Sequence, residues 1–193
     1  RFMPLEQVYQ CLDVFLSNQV LQVKFVDRTF NCNKNYAFSI WNYLKEHDNG
    51  ITNFHFEIAA DLTTKEELEL MKTMRPGLIQ LEIGVQSTNE KTLETINRKT
   101  DIKEIEEITS VIKKGKNIHQ HLDLIVGLPY EDYQSFGKSF NDVYRMKPDQ
   151  LQLGFLKVLH GSMMEVEATK YEIEYSKRPP YEVLKSGYLL MTY

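Results

Sequence analysis

The sequence predicts an α/β fold, a partial (βα) barrel of parallel strands. Short segments rich in Val, Ile, Leu and Phe alternate along the chain with longer segments of helical periodicity. No Asn-Gly or similar hairpin turn stands between two of the strand segments, so we expect a helical crossover after each strand. Polar and apolar residues also alternate within the strands, which indicates a sheet with one polar face.

The length and the composition are those of one ordinary globular domain. The chain has 193 residues, of which 42% are hydrophobic and 26% are charged, and this is enough for a sizeable core. The formal net charge of −4 argues against binding to a phosphate backbone, because nucleic-acid-binding proteins usually present a basic face. We therefore expect no DNA partner.

Membrane and secretion signals are missing from the sequence. No apolar run approaches the ~18 residues that a membrane span needs, and the N-terminal segment lacks the apolar core of a signal peptide. Cys11 and Cys32 form no disulfide framework and match no common metal-binding spacing. We therefore expect no membrane partner and a cytoplasmic location. The chain opens at Arg1 and stops at Tyr193 within a helical pattern (187–193), so we also expect a fragment of a longer protein.

Five segments have the length and the composition of β-strands. Each is rich in residues that favour the extended backbone. Helical patterns stand between them, and a repeated strand–helix order implies parallel pairing through right-handed crossovers. The predicted strands are Leu21–Asp27, Asn53–Ile58, Leu78–Val85, His121–Val126 and Leu151–Leu156.

The helical segments carry apolar residues at the spacing of one buried helix face. Thr63 or Thr64 starts one of them, ahead of two glutamates that favour the first turn, and Asp101 starts another. The predicted helices are Leu5–Leu16, Tyr36–Glu46, Lys65–Met74, Glu90–Ile96, Ile102–Lys114 and Tyr133–Met146.

The pattern changes after residue 160. It loosens beyond Gly161, and Arg178-Pro179-Pro180 interrupts the chain before a last helical pattern. We therefore expect residues 1–160 to form the partial barrel and residues 161–193 to begin a C-terminal region that follows it.

The alternation within the strands predicts a polar interior. In the second strand, apolar residues at 54, 56 and 58 oppose His55 and Glu57, and the other strands repeat this arrangement. If the apolar faces pack on the helices, the polar faces line a common interior that encloses water and ligands. Half-exposed antiparallel strands would alternate in the same way. The helices between the strands favour the barrel.

Polar residues follow the ends of successive strands, where ligands of α/β barrels and parallel sheets bind. Carboxylates and amides dominate this set, and they can bind the hydroxyls of a ribose and the ammonium group of an amino acid. Each member also has a structural explanation: Ser87 or Thr88 could cap the next helix, and Gly127 could shape a turn. The set comprises Asp27, Arg28, Glu57, Gln86, Ser87, Asp123, the turn Gly127-Leu128-Pro129 and Lys157.

Several other kinds of site find little support. The chain has no G-x-S-x-G elbow, no G-x-x-x-x-G-K-[ST] loop and no dinucleotide-binding glycine pattern. His119 and His121 share one strand face, but a metal site would need a third ligand. Strand packing is the favoured use of these histidines, and no metal ligand is predicted.

Several collinear segments give the sequence a family resemblance. LEIGVQSTNEKTLETINRKT (81–100) resembles the fourth-strand segment of radical S-adenosylmethionine (SAM) enzymes, in which a G-x-Q-S turn precedes a helix that ends in Asn-Arg. LDLIVGLPYED (122–132) resembles their fifth strand with its I-x-G-L-P turn. VKFVDRTFN (23–31), HFEIAAD (55–61) and LQLGFLKVLHGS (151–162) are similar to the second, third and sixth strands. The subgroup that it most resembles includes oxygen-independent coproporphyrinogen oxidase, methylthiotransferases and cobalamin-dependent members.

The resemblance implies roles for particular residues. Glu57, Gln86 and Ser87 would bind SAM, and Glu57 and Gln86 would contact its ribose or adenosine part. Arg98 would bind the SAM carboxylate, and Asp123 would complete the ribose contacts. These roles agree with the side chains, since carboxylates and an amide suit hydroxyls and a guanidinium suits a carboxylate. The resemblance identifies no catalytic residue.

The resemblance also implies cofactors and an incomplete site. The family fold is a TIM-like partial barrel, of which this chain would hold strands two to six. The C-x-x-x-C-x-x-C loop that follows the family's first strand is not in this sequence, and two distant cysteines cannot replace it. The whole protein would use SAM and a 4Fe–4S cluster, with cobalamin as a further candidate. It would cleave SAM reductively to a 5′-deoxyadenosyl radical that abstracts hydrogen.

The implied partners are an electron donor of the flavodoxin or ferredoxin type and a small or macromolecular substrate that the sequence does not identify. This chain alone would be inactive, because it lacks the cluster ligands. Two alternatives stay open at this point. One is a cluster-less domain that binds a nucleoside or a partner, and the other is an unrelated α/β-barrel enzyme.

Overall fold

The computed structural model describes residues 2–188, and its elements follow the predicted order with small shifts of their ends. The helices are α1 (Leu5–Ser17), α2 (Lys34–Glu46), α3 (Lys65–Lys72), α4 (Glu90–Thr95), α5 (Ile102–Gly115), α6 (Tyr133–Arg145) and α7 (Met163–Glu167). The strands are β1 (Gln22–Lys24), β2 (Asn53–Ile58), β3 (Ile79–Gln86), β4 (His119–Val126), β5 (Gln150–Phe155), β6 (Glu174–Tyr175) and β7 (Val183–Lys185).

Strands β1 to β5 form one sheet, in the order in which they occur along the chain. β1 pairs with β2 and β2 pairs with β3, both in parallel. In the second of these pairs Phe54 lies opposite Ile79, and Ile58 lies opposite Ile83. Each of these strands is followed by a helix, as a parallel sheet requires. The α/β fold that the sequence predicts is confirmed.

The described residues form two compact units. The first unit comprises residues 2–84, 103–122 and 148–150, and the second comprises residues 85–102, 123–147 and 151–188. Within the first unit, the aromatic ring of Phe56 on β2 is surrounded by other rings. Its centroid lies 4.4 Å from that of Phe30, 4.5 Å from that of Phe25 and 5.9 Å from that of Trp41. These contacts hold β2 against α2 and the segment after β1.

The core of the second unit includes residues that follow position 160. Leu128 and Leu156 are buried together with Tyr171, Ile173 and Val183. Ile173 directly precedes β6 and Val183 begins β7, and these two strands pair antiparallel. The segment after 160 is thus packed within this unit, and the predicted domain boundary at residue 160 stays a prediction.

Side-chain caps decide where two of the helices begin. The Asn33 side chain accepts a hydrogen bond from the backbone N–H of Tyr36, so α2 starts earlier than its apolar pattern predicts. Thr64 and Glu67 form a capping box at the start of α3, in which each side chain accepts a hydrogen bond from the other residue's backbone N–H. Of the two threonines that the sequence offered, Thr64 is the cap.

Other predictions fail at the sheet edges and in the tail. β1 is shorter than predicted, because Leu21 is 76% and Val26 is 91% exposed outside its pairing with β2. Leu153 and Phe155 on β5 are likewise exposed rather than covered by helices. The β6–β7 hairpin was not predicted from the sequence, and the helical pattern expected at 187–193 falls largely outside the described residues.

Between residues 2 and 188, no helix combines the length and the apolar character that crossing a bilayer requires. The longest helices of this part of the chain, α5 among them, are amphipathic. In α5, for example, the buried residues Ile105, Ile108 and Ile112 recur at helical spacing.

Candidate functional site

Three ligand-type side chains lie together on the polar face of the first unit. His55 on β2, Glu82 on β3 and His121 on β4 each offer one nitrogen or oxygen atom, and these atoms lie within 4.8 Å of one another. His55 is 8% and His121 is 5% exposed. Among the described residues, these are the three His, Cys, Asp or Glu side chains that lie close enough together to hold a metal ion.

Electrostatic contacts organise this group around the Glu82 carboxylate. His55 Nε2 lies 2.9 Å and Lys24 Nζ lies 3.0 Å from Glu82 Oε2. Burial lowers the pKa of His55, and Lys24 lowers it further, whereas Glu82 opposes the shift. Burial also lowers the pKa of His121, again against the effect of Glu82. Both shifts favour the neutral imidazole, which carries a ring nitrogen with a lone pair.

Glu57, the first of the predicted SAM ligands, lies on the same strand as His55. It is the Cα partner of Glu82 in the parallel pairing of β2 and β3 and is partly buried. Because side chains alternate along a strand, Glu57 shares the polar face with His55, at about 7 Å along the strand. The alternation predicted for β2 is therefore confirmed, since Phe54, Phe56 and Ile58 are buried on the other face.

Gln86 and Ser87 mark the end of β3 in the second unit. Gln86 ends the strand with a φ of +71°, and this left-handed conformation turns the chain sharply. Ser87 is fully buried and is not a helix cap; the cap of α4 is Asn89, whose side chain accepts from the backbone N–H of Lys91. The helix cap that the sequence suggested at Ser87 or Thr88 is therefore found one or two residues later, at Asn89.

The Ser87 hydroxyl belongs to a buried network around Glu131. It donates to Glu131 Oε1 at 2.6 Å, and Ser139 donates to the same oxygen at 2.7 Å. Ser139 also accepts from the backbone N–H of Thr88, and Ser87 accepts from that of Asn89. Burial raises the pKa of Glu131, whereas its two serine hydrogen bonds lower it. The network ties the turn after β3 to the turn after β4 and to α6.

Arg98 follows α4 in a helix-ending turn. Asn97 has a φ of +54°, and the backbone N–H of Arg98 donates to the Leu93 carbonyl oxygen at 2.9 Å. This is the Schellman arrangement, in which asparagine readily takes the left-handed position. The partly buried Arg98 lines a cavity of about 400 Å³ together with Leu93 and Asn97. The turn therefore fixes the position from which the guanidinium extends.

Asp123 lies on β4 between two buried leucines. Leu122 and Leu124 are fully buried, while Asp123 on the opposite face is partly buried. Of the predicted SAM ligands, Gln86, Ser87, Arg98 and Asp123 belong to the second unit and Glu57 belongs to the first. That they bind one SAM molecule stays a prediction.

The side chains fit SAM and do not fit its usual cluster. Two carboxylates, an amide and a guanidinium match the ribose hydroxyls, the ammonium and the carboxylate of SAM. Cys11 on α1 and Cys32 after β1 are both free, exposed thiols. A 4Fe–4S cluster needs converging thiolates, so the cysteines of this chain cannot hold one.

Sequence reasoning missed the group of His55, Glu82 and His121. It considered His121 together with His119, which is exposed two positions earlier on the same strand. The two other residues of the group come from β2 and β3 instead. The alternation of the strands could have indicated the group. Each of the three residues belongs to the polar face of its strand and lies away from the strand's ends or near its middle.

Comparison with known proteins supports the family that the motifs indicate. The family model for the radical SAM superfamily matches residues 1–143. Oxygen-independent coproporphyrinogen III oxidase of Salmonella typhimurium is 31% identical over 110 residues, and the match covers 52% of this chain and 23% of the oxidase. A probable threonylcarbamoyladenosine tRNA methylthiotransferase of Pyrococcus abyssi is 34% identical over 74 residues, 38% of this chain and 17% of that protein. The chain thus spans under a quarter of the length of these relatives.

Solved structures share the fold of this chain. A radical SAM methyltransferase from Kitasatospora setae, TsrM, with cobalamin and a [4Fe-4S] cluster bound, superposes with a TM-score of 0.75 at 12% identity, over 91% of this chain and 37% of that one. Coproporphyrinogen III oxidase of Escherichia coli superposes with a TM-score of 0.63 at 18% identity, over 95% and 43%. These likenesses confirm the partial (βα) barrel class. With the family match over residues 1–143, they show that this chain belongs to the radical SAM superfamily.

Proposed function

We propose that this chain forms the SAM-binding part of a radical SAM enzyme. The observation that carries the proposal is the set of polar side chains in the C-terminal halves of β2, β3 and β4, in a chain whose residues 1–143 match the family. Ligands of parallel α/β folds bind at this edge. In the whole protein, SAM would supply a 5′-deoxyadenosyl radical for hydrogen abstraction once an electron has cleaved it.

The carboxylates of Glu57 and Asp123 would accept hydrogen bonds from the ribose hydroxyls or from the ammonium group. The Gln86 side chain, set at a sharp turn by its positive φ, would contact the ribose or the adenosine. Arg98 would pair with the SAM carboxylate through two parallel N–H···O bonds, which a guanidinium makes better than an ammonium. These residues bind and orient the cofactor, and the cofactor performs the chemistry.

Ser87 would act indirectly. Its hydroxyl is committed to Glu131 and to the backbone N–H of Asn89. We therefore assign it the role of positioning the turn that presents Gln86, a refinement of the direct contact that the family motif implies.

Other parts of the whole protein complete the proposal. Cysteines other than Cys11 and Cys32 would hold the cluster, because these two are exposed and belong to separate elements. A flavodoxin- or ferredoxin-type donor would deliver the electron, and a cobalamin cofactor is a further candidate. We keep the cytoplasmic location, since two free thiols suit a reducing compartment.

Equilibrium dialysis with radiolabelled SAM tests the proposal on the 193-residue chain. Glu57→Gln and Asp123→Asn preserve shape while removing charge, and each is expected to weaken SAM binding about tenfold, the usual effect of a lost hydrogen bond to a charged group. Glu106→Gln, on the exposed face of α5, is the matched control and should leave SAM binding unchanged. Equal SAM affinity of all four proteins would refute these roles.

A further inference from the structure

We propose that His55, Glu82 and His121 form a binding site for a divalent transition metal such as Zn²⁺, distinct from the residues assigned to SAM. Their ligand atoms lie within 4.8 Å of one another on the polar face of the first unit. Ligands of a tetrahedral zinc ion stand about 3.4 Å apart, given bonds of about 2.1 Å. Small side-chain rotations therefore suffice to bring the three atoms onto one ion.

The strands hold these ligands in place. Parallel pairing fixes β2 against β3, with Glu57 opposite Glu82 and His55 opposite Gln80. Side chains on paired strands vary less in position than side chains on loops, which favours a preformed site. Burial also limits contact of the group with solvent, because the Glu82 side chain is only 13% exposed.

The donor set selects the class of metal. Two imidazoles and one carboxylate are a common catalytic zinc set, and imidazole nitrogen also suits other late first-row metals. Calcium and magnesium prefer oxygen ligands throughout and are disfavoured here. Three protein ligands leave one tetrahedral position for water or for an oxygen of a bound molecule. The site would thus present an open coordination position on the polar face.

Lys24 is the group that a metal ion would have to displace. Its Nζ lies 3.0 Å from Glu82 Oε2, where it neutralises the carboxylate. The Lys24 side chain is 53% exposed, so it can swing into solvent when a divalent ion takes its place. Its removal is therefore expected to strengthen metal binding. A purely structural ion pair predicts no such gain.

The site is separable from SAM binding. Glu57 lies opposite Glu82 in the pairing of β2 and β3, but it does not belong to the group of side chains whose ligand atoms lie within 4.8 Å of one another. A failed metal test would leave the SAM proposal intact, and SAM dialysis on the same variants distinguishes the two.

Calorimetric titration of the EDTA-treated 193-residue chain with Zn²⁺ tests the proposal, with Co²⁺ absorption as a report on coordination. The wild type is expected to bind a single Zn²⁺ and to melt at a higher temperature with it. Glu82→Gln and His121→Gln should each lose affinity by more than about 100-fold, since loss of even an outer-shell partner costs about 10- to 100-fold. His119→Gln, on the same strand but exposed, should bind as the wild type does.

Lys24→Ala provides a test that misfolding cannot imitate. It should bind Zn²⁺ about two- to fivefold more tightly, because a partly exposed ion pair no longer competes for Glu82. Far-ultraviolet circular dichroism without metal checks that every variant folds. The proposal is overturned if the wild type binds Zn²⁺ no better than Glu82→Gln, if His119→Gln loses binding, or if Lys24→Ala binds more weakly.

Discussion

The Ser87 hydroxyl lies 2.6 Å from Oε1 of the buried Glu131 and donates a hydrogen bond to it. The two residues follow different strands, β3 and β4, and belong to the same unit. Ser139 on α6 completes the arrangement with a second bond to the same oxygen. The turn that presents Gln86 is therefore anchored by the buried carboxylate of Glu131.

Ser87→Ala is expected to lower the free energy of unfolding by about 1–3 kcal/mol, because it removes one hydrogen bond to a buried carboxylate and one acceptor of a backbone N–H. Urea denaturation measures the change. Ser110→Ala, an exposed helical substitution on α5, serves as the control and should stay within about 0.5 kcal/mol. Equal stability of Ser87→Ala and Ser110→Ala would show that the network contributes nothing.

Glu131→Gln is expected to change how stability depends on pH. Burial raises the pKa of Glu131 above its ordinary 4.5, so the folded chain keeps a proton that the unfolded chain has lost. The free energy of unfolding of the wild type therefore falls, relative to that of Glu131→Gln, as the pH rises from 4.5 through the folded-state pKa. Denaturation curves from pH 4 to 8 measure this difference. If the unfolding free energy of the wild type instead rose relative to that of Glu131→Gln over this range, the pKa of Glu131 would not be raised in the folded chain.

Arg75 and Asp48 form a bidentate pair in the first unit, with Nε to Oδ2 at 2.7 Å and Nη2 to Oδ1 at 3.1 Å. Burial raises the pKa of Asp48, but hydrogen bonds from Arg75 and from the Gly50 N–H outweigh it, and the pKa lies below 3.8. Arg75→Ala should cost about 1 kcal/mol at pH 7, a value reduced for partial exposure.

The pH profile identifies this pair. The folded-state pKa of Asp48 is lowered, so ionised Asp48 stabilises the fold fully at any pH above its unfolded-state pKa. This stabilisation is lost as the pH falls through the folded-state pKa. The difference in unfolding free energy between wild type and Arg75→Ala should therefore shrink below about pH 4. A difference that persists undiminished at pH 2 would mean that Arg75 stabilises by packing alone.

Anaerobic reconstitution with iron and sulfide is expected to give this chain no 4Fe–4S absorption. Cys11 and Cys32 are both exposed, and neither stands in a three-cysteine motif. Iron and sulfide analysis after desalting measures cluster content, with Cys11→Ser as the control that should look the same. Stable cluster formation by the wild type, lost in Cys11→Ser, would contradict the account.

Sequence patterns predict the regular part of this fold well. β2 is observed at the predicted residues Asn53–Ile58, because its alternation is strict and both of its neighbouring strands pair with it. The helix starts are less accurate where two polar residues compete for one cap. Asn89, rather than Ser87, caps α4, because the Ser87 hydroxyl is drawn into the bonds around Glu131.

Two features could not be predicted from a single sequence. One is the exposure of residues on an edge strand, and the other is the clustering of side chains from different strands. Burial of Leu153 and Phe155 was expected from their alternation, yet they lie on an edge strand and are exposed. His55, Glu82 and His121 are far apart along the chain, and only the strand register brings them together. Family motifs supplied roles for Glu57 and Arg98, but strand periodicity alone could not have assigned them.

The measurement that tests the central claim most directly is backbone NMR of the ¹⁵N-labelled chain during titration with SAM, a method suited to weak binding. The account predicts saturable shifts of the amides of Glu57, Gln86, Arg98 and Asp123. The amide of Glu106, on the exposed face of α5, should remain unshifted. Shifts that avoid the four predicted amides, or no shifts at millimolar SAM, would contradict the claim that this chain binds the cofactor.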